Sequence, residues 1–231
     1  MVSESSTGEK VLGVIQDHVD WVNFMHKRKT ALLVIDAQND VLKKEGSLST
    51  YGVWKYVEQN GTIDKIKSLV DMCHKIEVPV FWFRALRLND GRDIFPDTFD
   101  GALILAKRKV INTYFLGGTW DVETIDELKE IIGEKDIVID KPAYSSFEGT
   151  NLQRYLVQLG MKTLLICGFI TDVCVEGTSR TAFDRGYMPV LIEDACATSG
   201  EEEQRVAIER HKRKLGPAVT TSHLIKILKS W

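Results

Sequence analysis

The sequence predicts an α/β protein built on a mostly parallel β-sheet with helices on both faces. Two observations lead to this prediction. Continuous apolar runs, typical of strands buried on both faces, alternate along the chain with amphipathic segments of helical periodicity. The spacing of these segments is that of βαβ units, in which a helix connects two parallel strands. Hydrophobic residues make up 44% of the 231 positions, which allows a core of ordinary size.

The predicted elements follow one another in a regular order. The first half gives a helix over 9–27, a strand over 31–35, a helix over 61–76 and a strand over 78–85. The second half gives helices over 124–132, 150–160, 174–187 and 201–214, strands over 137–139, 162–169 and 188–198, and a short strand and helix within 218–229. Gly160 and Gly186 stand where glycine commonly ends a helix.

One segment between the two halves has no clear pattern. Residues 86–123 are long for a plain connection, and loops of that length are often functional. The chain shows no linker, repeat or low-complexity segment. We therefore expect a single domain over 29–231, preceded by an N-terminal extension over 1–28 that holds the first helix.

Charge and composition exclude several classes of function. The formal net charge is -3, so no large basic surface is available for nucleic acid. No apolar run reaches the roughly 18 residues of a membrane span, and no secretory signal is visible. The cysteines lack CxxC spacing, which favours free thiols in a cytoplasmic protein. The histidines lack HxH and HExxH spacing, so neither a metal site nor a cofactor is expected.

Three strands lead to chemically capable side chains. Asp36 follows the first strand, Lys141 follows the strand over 137–139, and Cys174 lies where a strand passes into a helix. Ligands bind outside the carboxyl ends of strands in an open parallel sheet. If these strands are neighbours, the three side chains converge. Taken singly, each has a plainer interpretation: a helix N-cap for Asp36, a solvated Lys141 and a buried apolar Cys174.

Together the three side chains form a coherent chemical set. The thiolate is the reactive form of cysteine, and both a helix N-terminus and a nearby ammonium favour it. Asp36 can accept the thiol proton and later deliver it to a leaving amine. Backbone N–H groups at the start of the helix can hold an oxyanion. The set suits acyl transfer from an amide through a thioester.

Three segments resemble the isochorismatase-like cysteine hydrolases: "ALLVIDAQNDVL", "VIDKPAYSSF" and "CGFITDVCVEGTSRTAFDRGY". The resemblance covers about residues 29–200. It implies a three-layer α/β/α domain with a six-stranded sheet, in which Cys174 is the nucleophile, Asp36 the base and acid, and Lys141 the ammonium that steadies the thiolate. It also implies a cis peptide between Phe169 and Ile170, and an oxyanion hole made by the N–H groups of Ile170 and Cys174.

Departures from the family pattern narrow the chemistry. Nicotinamidases carry a metal-binding Asp-x-His after the second strand, where this chain reads "FWFRALRLND". Isochorismatases proper lack the nucleophilic cysteine. The segments "GGTWDVETIDEL" and "DKPAYSSFEGTNL" resemble the ureidoacrylate and N-carbamoyl amidohydrolase branch, although the Asn and Trp expected after the second strand are missing.

The same branch indicates candidate substrate contacts. Tyr144 matches a tyrosine that lines the pocket in ureidoacrylate enzymes, and Gln38 follows the first strand. Arg84 or Arg87 can bind a substrate carboxylate as a planar fork, or else pair with surface acids. Aromatic side chains can form an apolar wall or simply pack in the core; they are Phe115, Trp120 and Phe147.

These observations support one leading function and two alternatives. The leading function is a metal-independent amidohydrolase that cleaves the C–N bond of a small ureido or N-carbamoyl substrate. Joint release of ammonia and carbon dioxide would identify this activity. The first alternative is a hydrolase of plain small amides related to maleamate, biuret or nicotinamide. The second is a non-catalytic member of the fold. A homo-oligomer, either a dimer or a tetramer, is also expected from the resemblance.

Overall fold

The computed structural model describes residues 19–231. The strands are β1 (Thr30–Ile35), β2 (Val80–Ala85), β3 (Ile137–Lys141), β4 (Thr163–Phe169), β5 (Met188–Ala197) and β6 (Ala218–Val219). The α-helices are α1 (Asn39–Leu42), α2 (Val53–Asn60), α3 (Thr62–Lys75), α4 (Phe99–Arg108), α5 (Asp126–Lys129), α6 (Leu152–Gln158), α7 (Glu176–Asp184), α8 (Glu201–Lys214) and α9 (Thr221–Leu228).

The six strands form one parallel sheet in the order β3-β2-β1-β4-β5-β6. Every residue of β1 and of β4 is buried. Since successive side chains of a strand point to opposite faces, both faces of the sheet are covered at its centre. The α/β class and the six-stranded parallel sheet predicted from the sequence are confirmed.

The strand order places a cleft at the centre of the sheet. Strands β1, β2 and β3 extend to one side, and β4, β5 and β6 extend to the other. The direction of winding therefore reverses between β1 and β4. Ligands of open α/β sheets bind at this reversal, outside the carboxyl ends of the strands. Asp36 directly follows β1, and Cys174 follows β4 after a short loop.

Several element boundaries differ from the sequence prediction. The helix expected over 124–132 is reduced to the single turn of α5, and the unassigned segment 86–123 contains the ten-residue helix α4. Helix α2 was also missed. Most of the helix expected over 9–27 lies outside the described residues. Its last part consists of 3₁₀ turns, Trp21–Phe24 and Lys27–Lys29.

Candidate active site

Asp36 occupies a constrained position at the end of β1. Its backbone adopts a positive φ of 46°, which is uncommon for a residue with a side chain. Its amide donates to the carbonyl of Phe83 on the neighbouring strand, at 3.0 Å. The side chain is buried. The backbone thus fixes a carboxyl group in the cleft rather than leaving it in solvent as a helix cap.

Lys141 reaches this carboxyl group across an intervening strand. The condition under which convergence was expected, that the strands are neighbours, is not met for β1 and β3, because β2 lies between them. Lys141 is the last residue of β3, and its register partner on β2 is the small Ala85. Two strand spacings separate β3 from β1 by roughly 9.5 Å. The long lysine side chain bridges that gap, and its Nζ lies 2.7 Å from Oδ2 of Asp36.

The ammonium of Lys141 is held on all sides. Besides its contact with Asp36, Nζ donates to the carbonyl of Ala143 at 2.9 Å and to that of Tyr144 at 3.1 Å. The ammonium is thus held between one carboxylate oxygen and two backbone carbonyls. The side chain has no exposed surface. A buried lysine held in this way is fixed in position and is not a solvated surface group.

Cys174 lies in a π-helical turn, Thr171–Val175, that runs directly into α7. The peptide bond between Phe169 and Ile170, at the entry to this turn, is cis. The backbone carbonyl of Ile170 accepts from the amides of Val173 and Val175. Single π-turns at the start of a helix are frequent at functional sites. Here the turn aims Cys174 at the end of β1.

Electrostatics couple the three groups. Burial raises the pKa of the Asp36 carboxyl, and the Lys141 ammonium opposes that rise. Burial also raises the pKa of the Cys174 thiol, the Asp36 charge adds to the rise, and Lys141 again opposes it. Burial acts to lower the pKa of Lys141, but the charges of Asp36 and Cys174 outweigh it and the pKa is raised.

Two opposing effects act on the thiol of Cys174. A helix N-terminus and an ammonium were expected to favour the thiolate of Cys174. Burial raises the pKa of the Cys174 thiol, because desolvation of the thiolate outweighs the contribution of the Lys141 ammonium, which still acts to lower it. The arrangement is suited to deprotonation of the thiol by Asp36 at the moment of attack, rather than to a standing thiolate.

A cavity of about 250 Å³ opens next to these groups. Its floor includes Asp36, Cys174 and Ile170, and its walls include aromatic and polar side chains. The wall residues of most interest are Gln38, Asp40, Tyr51, Lys107, Tyr114, Phe115, Tyr144 and Asp172. The candidate nucleophile is thus accessible from a small, mainly apolar cleft at the reversal of the sheet.

Two of the expected substrate contacts lie in this wall. Tyr144 is 54% exposed and lines the cavity. Gln38 also lines it, but its side-chain amide is occupied by the backbone. Its Nε2 donates to the carbonyls of Ala85 and Val122, and its Oε1 accepts from the amide of Ala85. Gln38 therefore joins the ends of two strands to the segment around Val122.

The remaining expected contacts lie elsewhere. Arg84 pairs with Asp140 at 2.8 Å, and Arg87 pairs with Asp100 at 2.9 Å beside a second cavity of about 360 Å³. Trp120 is half exposed and borders neither cavity. Phe147 is buried in the core against Tyr187. Of the proposed aromatic wall, Phe115 alone borders the catalytic cleft.

Five of these wall residues escaped the sequence reasoning, and one of them, Asp172, lies two residues before Cys174. Asp40 and Tyr51 lie in the stretch after β1, and Lys107 and Tyr114 lie within the segment 86–123. The unusual length of that segment was the one available signal. No spacing pattern identifies Lys107 and Tyr114, because these two side chains reach the cleft through the folding of α4 and of the turns after it.

The family model named Isochorismatase domain matches residues 30–223, which is most of the chain. The chain belongs to the isochorismatase family. The ureidoacrylate amidohydrolase RutB of Acinetobacter baylyi is 32% identical over 186 residues, covering 78% of this chain and 75% of that protein. Nicotinamidase 3 of Arabidopsis thaliana is 29% identical over 173 residues, covering 74% of this chain and 75% of that protein. This isochorismatase-family chain is an amidohydrolase, a hydrolase that acts on C–N amide bonds.

A solved structure agrees with the fold. A cysteine hydrolase from Pseudomonas syringae pv. phaseolicola superposes on this isochorismatase-family chain with a TM-score of 0.73 and 24% identity. The match covers 89% of this chain and 95% of that one. Among residues 19–231, no helix is long and apolar enough to cross a bilayer. Within the same residues, no group of three or more His, Cys, Asp and Glu side chains could hold a metal ion.

Proposed function

We propose that this chain hydrolyses the C–N bond of a small ureido or N-carbamoyl compound through a covalent intermediate on Cys174. The proposal rests on the convergence of three groups: Asp36 and Cys174 line one cavity, and Lys141 forms an ion pair with Asp36 beneath it. The resemblance of the chain to a ureidoacrylate amidohydrolase at 32% identity supports the ureido class of substrate.

The first half of the reaction forms the covalent intermediate. Asp36 takes the thiol proton as the sulfur of Cys174 attacks the carbonyl carbon of the substrate. The oxygen that gains negative charge is stabilised by the N–H groups of Ile170 and Cys174. Asp36 then gives its proton to the departing nitrogen, and an amine or ammonia leaves. The product on the enzyme is an S-carbamoyl or S-acyl thioester.

The second half restores the enzyme. Water enters the cavity in place of the departed amine, and Asp36 removes a proton from it as it attacks the thioester. The sulfur of Cys174 leaves and recovers the proton. An S-carbamoyl enzyme yields carbamic acid, which decomposes to carbon dioxide and ammonia. The Lys141 ammonium stays charged throughout and stabilises the negative charge that passes between Asp36 and the sulfur.

A plain amide substrate is the second candidate, and the similarity to a nicotinamidase at 29% identity favours it. The steps on Cys174 are the same, but the intermediate is an S-acyl enzyme and only ammonia and a carboxylic acid are released. Carbon dioxide therefore separates the two functions.

The test is ammonia release from a panel of small amides in EDTA, with carbon dioxide followed in parallel. The panel contains a ureidoacrylate-like compound, N-carbamoyl amino acids, biuret, maleamate and nicotinamide. We expect turnover of ureido compounds, and a loss of at least about 10³-fold in kcat for Cys174→Ala, as is usual when a nucleophile is removed.

Cys73→Ala is the matched control, because Cys73 is a buried thiol of α3 that does not border the cavity. It should retain turnover. Turnover of maleamate or nicotinamide without carbon dioxide would transfer the assignment to the plain-amide function. Undiminished turnover by Cys174→Ala would contradict both.

A further inference from the structure

The catalytic cavity has an uneven distribution of charge. Its acidic lining residues are Asp36, Asp40 and Asp172. Asp36 and Asp40 are electrostatic neighbours. Among the described residues that line this cavity, Lys107 is the one cation. It comes from the last turn of α4, whereas Asp36 and Asp40 follow β1.

Lys107 has no acidic partner. Its Nζ donates to the hydroxyl of Tyr114 at 2.9 Å and lies 4.8 Å from the centre of that ring. No carboxylate of residues 19–231 forms an ion pair with it. Arg84 and Arg87 differ in this respect, since each is paired with an aspartate. A tyrosine hydroxyl takes up one of the three ammonium donors and does not balance the charge.

The surroundings of Lys107 are phenols. Its hydrogen bond to Tyr114 is the largest influence that raises its pKa, and the groups that act on it next are Tyr114, Tyr51 and Tyr144. Burial raises the pKa of Tyr114, so its hydroxyl is neutral at physiological pH. Lys107 is partly buried. A cation beside the neutral phenol of Tyr114 at a partly buried site interacts more strongly with an anion than it would in open solvent, because water screens it less.

We propose that Lys107, positioned by Tyr114, binds a carboxylate of the substrate, so that the natural substrate is a small anionic amide. This inference rests on the proposed function and deepens it. The scissile carbamoyl or amide group, which is neutral, lies at the acidic end beside Asp36 and Cys174. The carboxylate lies at the end marked by Lys107. Asp36 is already paired with Lys141, so Lys107 is the cation left to hold the carboxylate, and it thereby sets the direction in which the substrate binds.

Kinetics on a matched pair of substrates test the proposal. N-carbamoyl-β-alanine carries a carboxylate, and its methyl ester has the same ureido group without the charge. We expect Lys107→Met to raise KM for the acid by about 10- to 100-fold, the usual worth of a hydrogen bond to a charged group. The kcat for the acid should change little, and kcat/KM for the ester should stay within about twofold. Derivatives of glycine and γ-aminobutyrate vary the reach of the carboxylate.

Two further variants separate charge from packing. Lys107→Arg keeps the cation and should recover most of the affinity for the acid. Lys109→Met removes an exposed lysine that does not border the cavity, and it should behave as the wild type. Equal effects of Lys107→Met on acid and ester would overturn the proposal.

Alkylation of Cys174 gives a readout that needs no turnover. N-(iodoacetyl)-β-alanine and its methyl ester are compared by the rate at which each labels Cys174. We expect the acid to label the wild type faster than the ester, and Lys107→Met to abolish that preference. Should no ureido compound be hydrolysed while this preference holds, the anionic subsite stands and the proposed function fails. Equal rates in the wild type, or no labelling by either reagent, would overturn the subsite.

Discussion

Asp40 is a buried carboxyl group for which the fold provides little compensation. It is 2% exposed, and its Oδ1 has no hydrogen-bond partner among the described residues. Burial raises its pKa to about 8, and the charges of Asp36 and Asp121 add to the rise. At neutral pH Asp40 is therefore largely a neutral acid.

Replacement of Asp40 should make stability less dependent on pH. A raised pKa means that the folded state binds the proton more tightly than the unfolded state does. The contribution of Asp40 to stability is then fully present below about pH 4 and is lost as pH rises toward 8, by at most about 1.4 kcal/mol per pH unit. Asp40→Asn lacks that loss. In urea unfolding between pH 5 and 9, the free energy of unfolding of the variant should rise relative to that of the wild type up to about pH 8.

Asp97→Asn is the control for Asp40→Asn, since Asp97 is exposed in a loop. It should run parallel to the wild type. A gap between Asp40→Asn and the wild type that stays constant with pH would show that Asp40 is ionised in the folded protein.

At the same scale, the sequence revealed some residues of the cavity and not others. Asp36, Lys141 and Cys174 were predictable, because each follows or ends a strand and their chemistry is complementary. Lys107 was not predictable. It is one lysine among many, and its significance comes from having no acidic partner, which depends on the folded positions of Tyr114 and the neighbouring acids. For the same reason the sequence could not decide between a substrate carboxylate and a surface acid as the partner of Arg84, since its pairing with Asp140 is a tertiary contact.

Among the elements, β4 depends on a glycine where it meets β1. Gly168 has a φ of 113°, and a Cβ built there would lie 2.1 Å from the carbonyl oxygen of Ile35. The two strands approach so closely at this point that only glycine fits. The contact sits between Ile35, which precedes Asp36, and the loop that leads to Cys174. It therefore fixes the separation of the carboxyl group and the thiol.

Gly168→Ala should lower both stability and activity. Backbone strain and overpacking together are expected to reduce the free energy of unfolding by about 2–5 kcal/mol. Gly160→Ala is the matched control: its φ of 67° is also left-handed, but a Cβ there meets nothing within 4 Å. That change should cost about 1–2 kcal/mol and leave kcat unaltered. Equal losses in urea unfolding would contradict the close approach at Gly168.

Helix α4 shows why hydrophobic periodicity does not predict every helix from the sequence. Its signals were present: Thr98 caps it by accepting from the amide of Gly101, and Lys107 and Arg108 occupy its last turn. The pattern is blurred because Leu103 and Leu105 are both about two-fifths exposed, so apolar residues face outward as well as inward. A helix with apolar residues around its circumference has no clear stripe to detect.

For the whole molecule, the sheet order could not be read from local patterns. Strands β1 and β4 are equally apolar and equally buried, and nothing in either sequence states which strands lie beside them. The class of fold follows from the alternation of strands and helices, whereas the order depends on the packing of all six strands. The crossing of Lys141 over β2 is a consequence of that order.

Two cavities share one aromatic wall. Ala85, Tyr114, Phe115 and Tyr144 border both the catalytic cavity and the larger one beside Arg87. Tyr144→Ala removes a half-exposed part of this wall and should join the two spaces at little cost in stability. We expect kcat/KM for N-carbamoyl-phenylalanine to rise relative to N-carbamoyl-β-alanine, by about tenfold on the basis of the added apolar contact.

Tyr51→Ala is the control for Tyr144→Ala, because Tyr51 is 48% exposed and borders the catalytic cavity alone. It should give no such gain for the bulky substrate. An unchanged preference in Tyr144→Ala would mean that the aromatic wall does not limit substrate size.

The burial of the other cysteines has a practical consequence. Cys73, Cys167 and Cys196 are at most 1% exposed, and none of them borders the catalytic cavity. Cys174 is the cysteine that borders the cavity. An alkylating reagent applied to the folded protein therefore consumes one equivalent per chain. That stoichiometry supplies an active-site titration, by which competent molecules can be counted in a preparation without removing any other thiol.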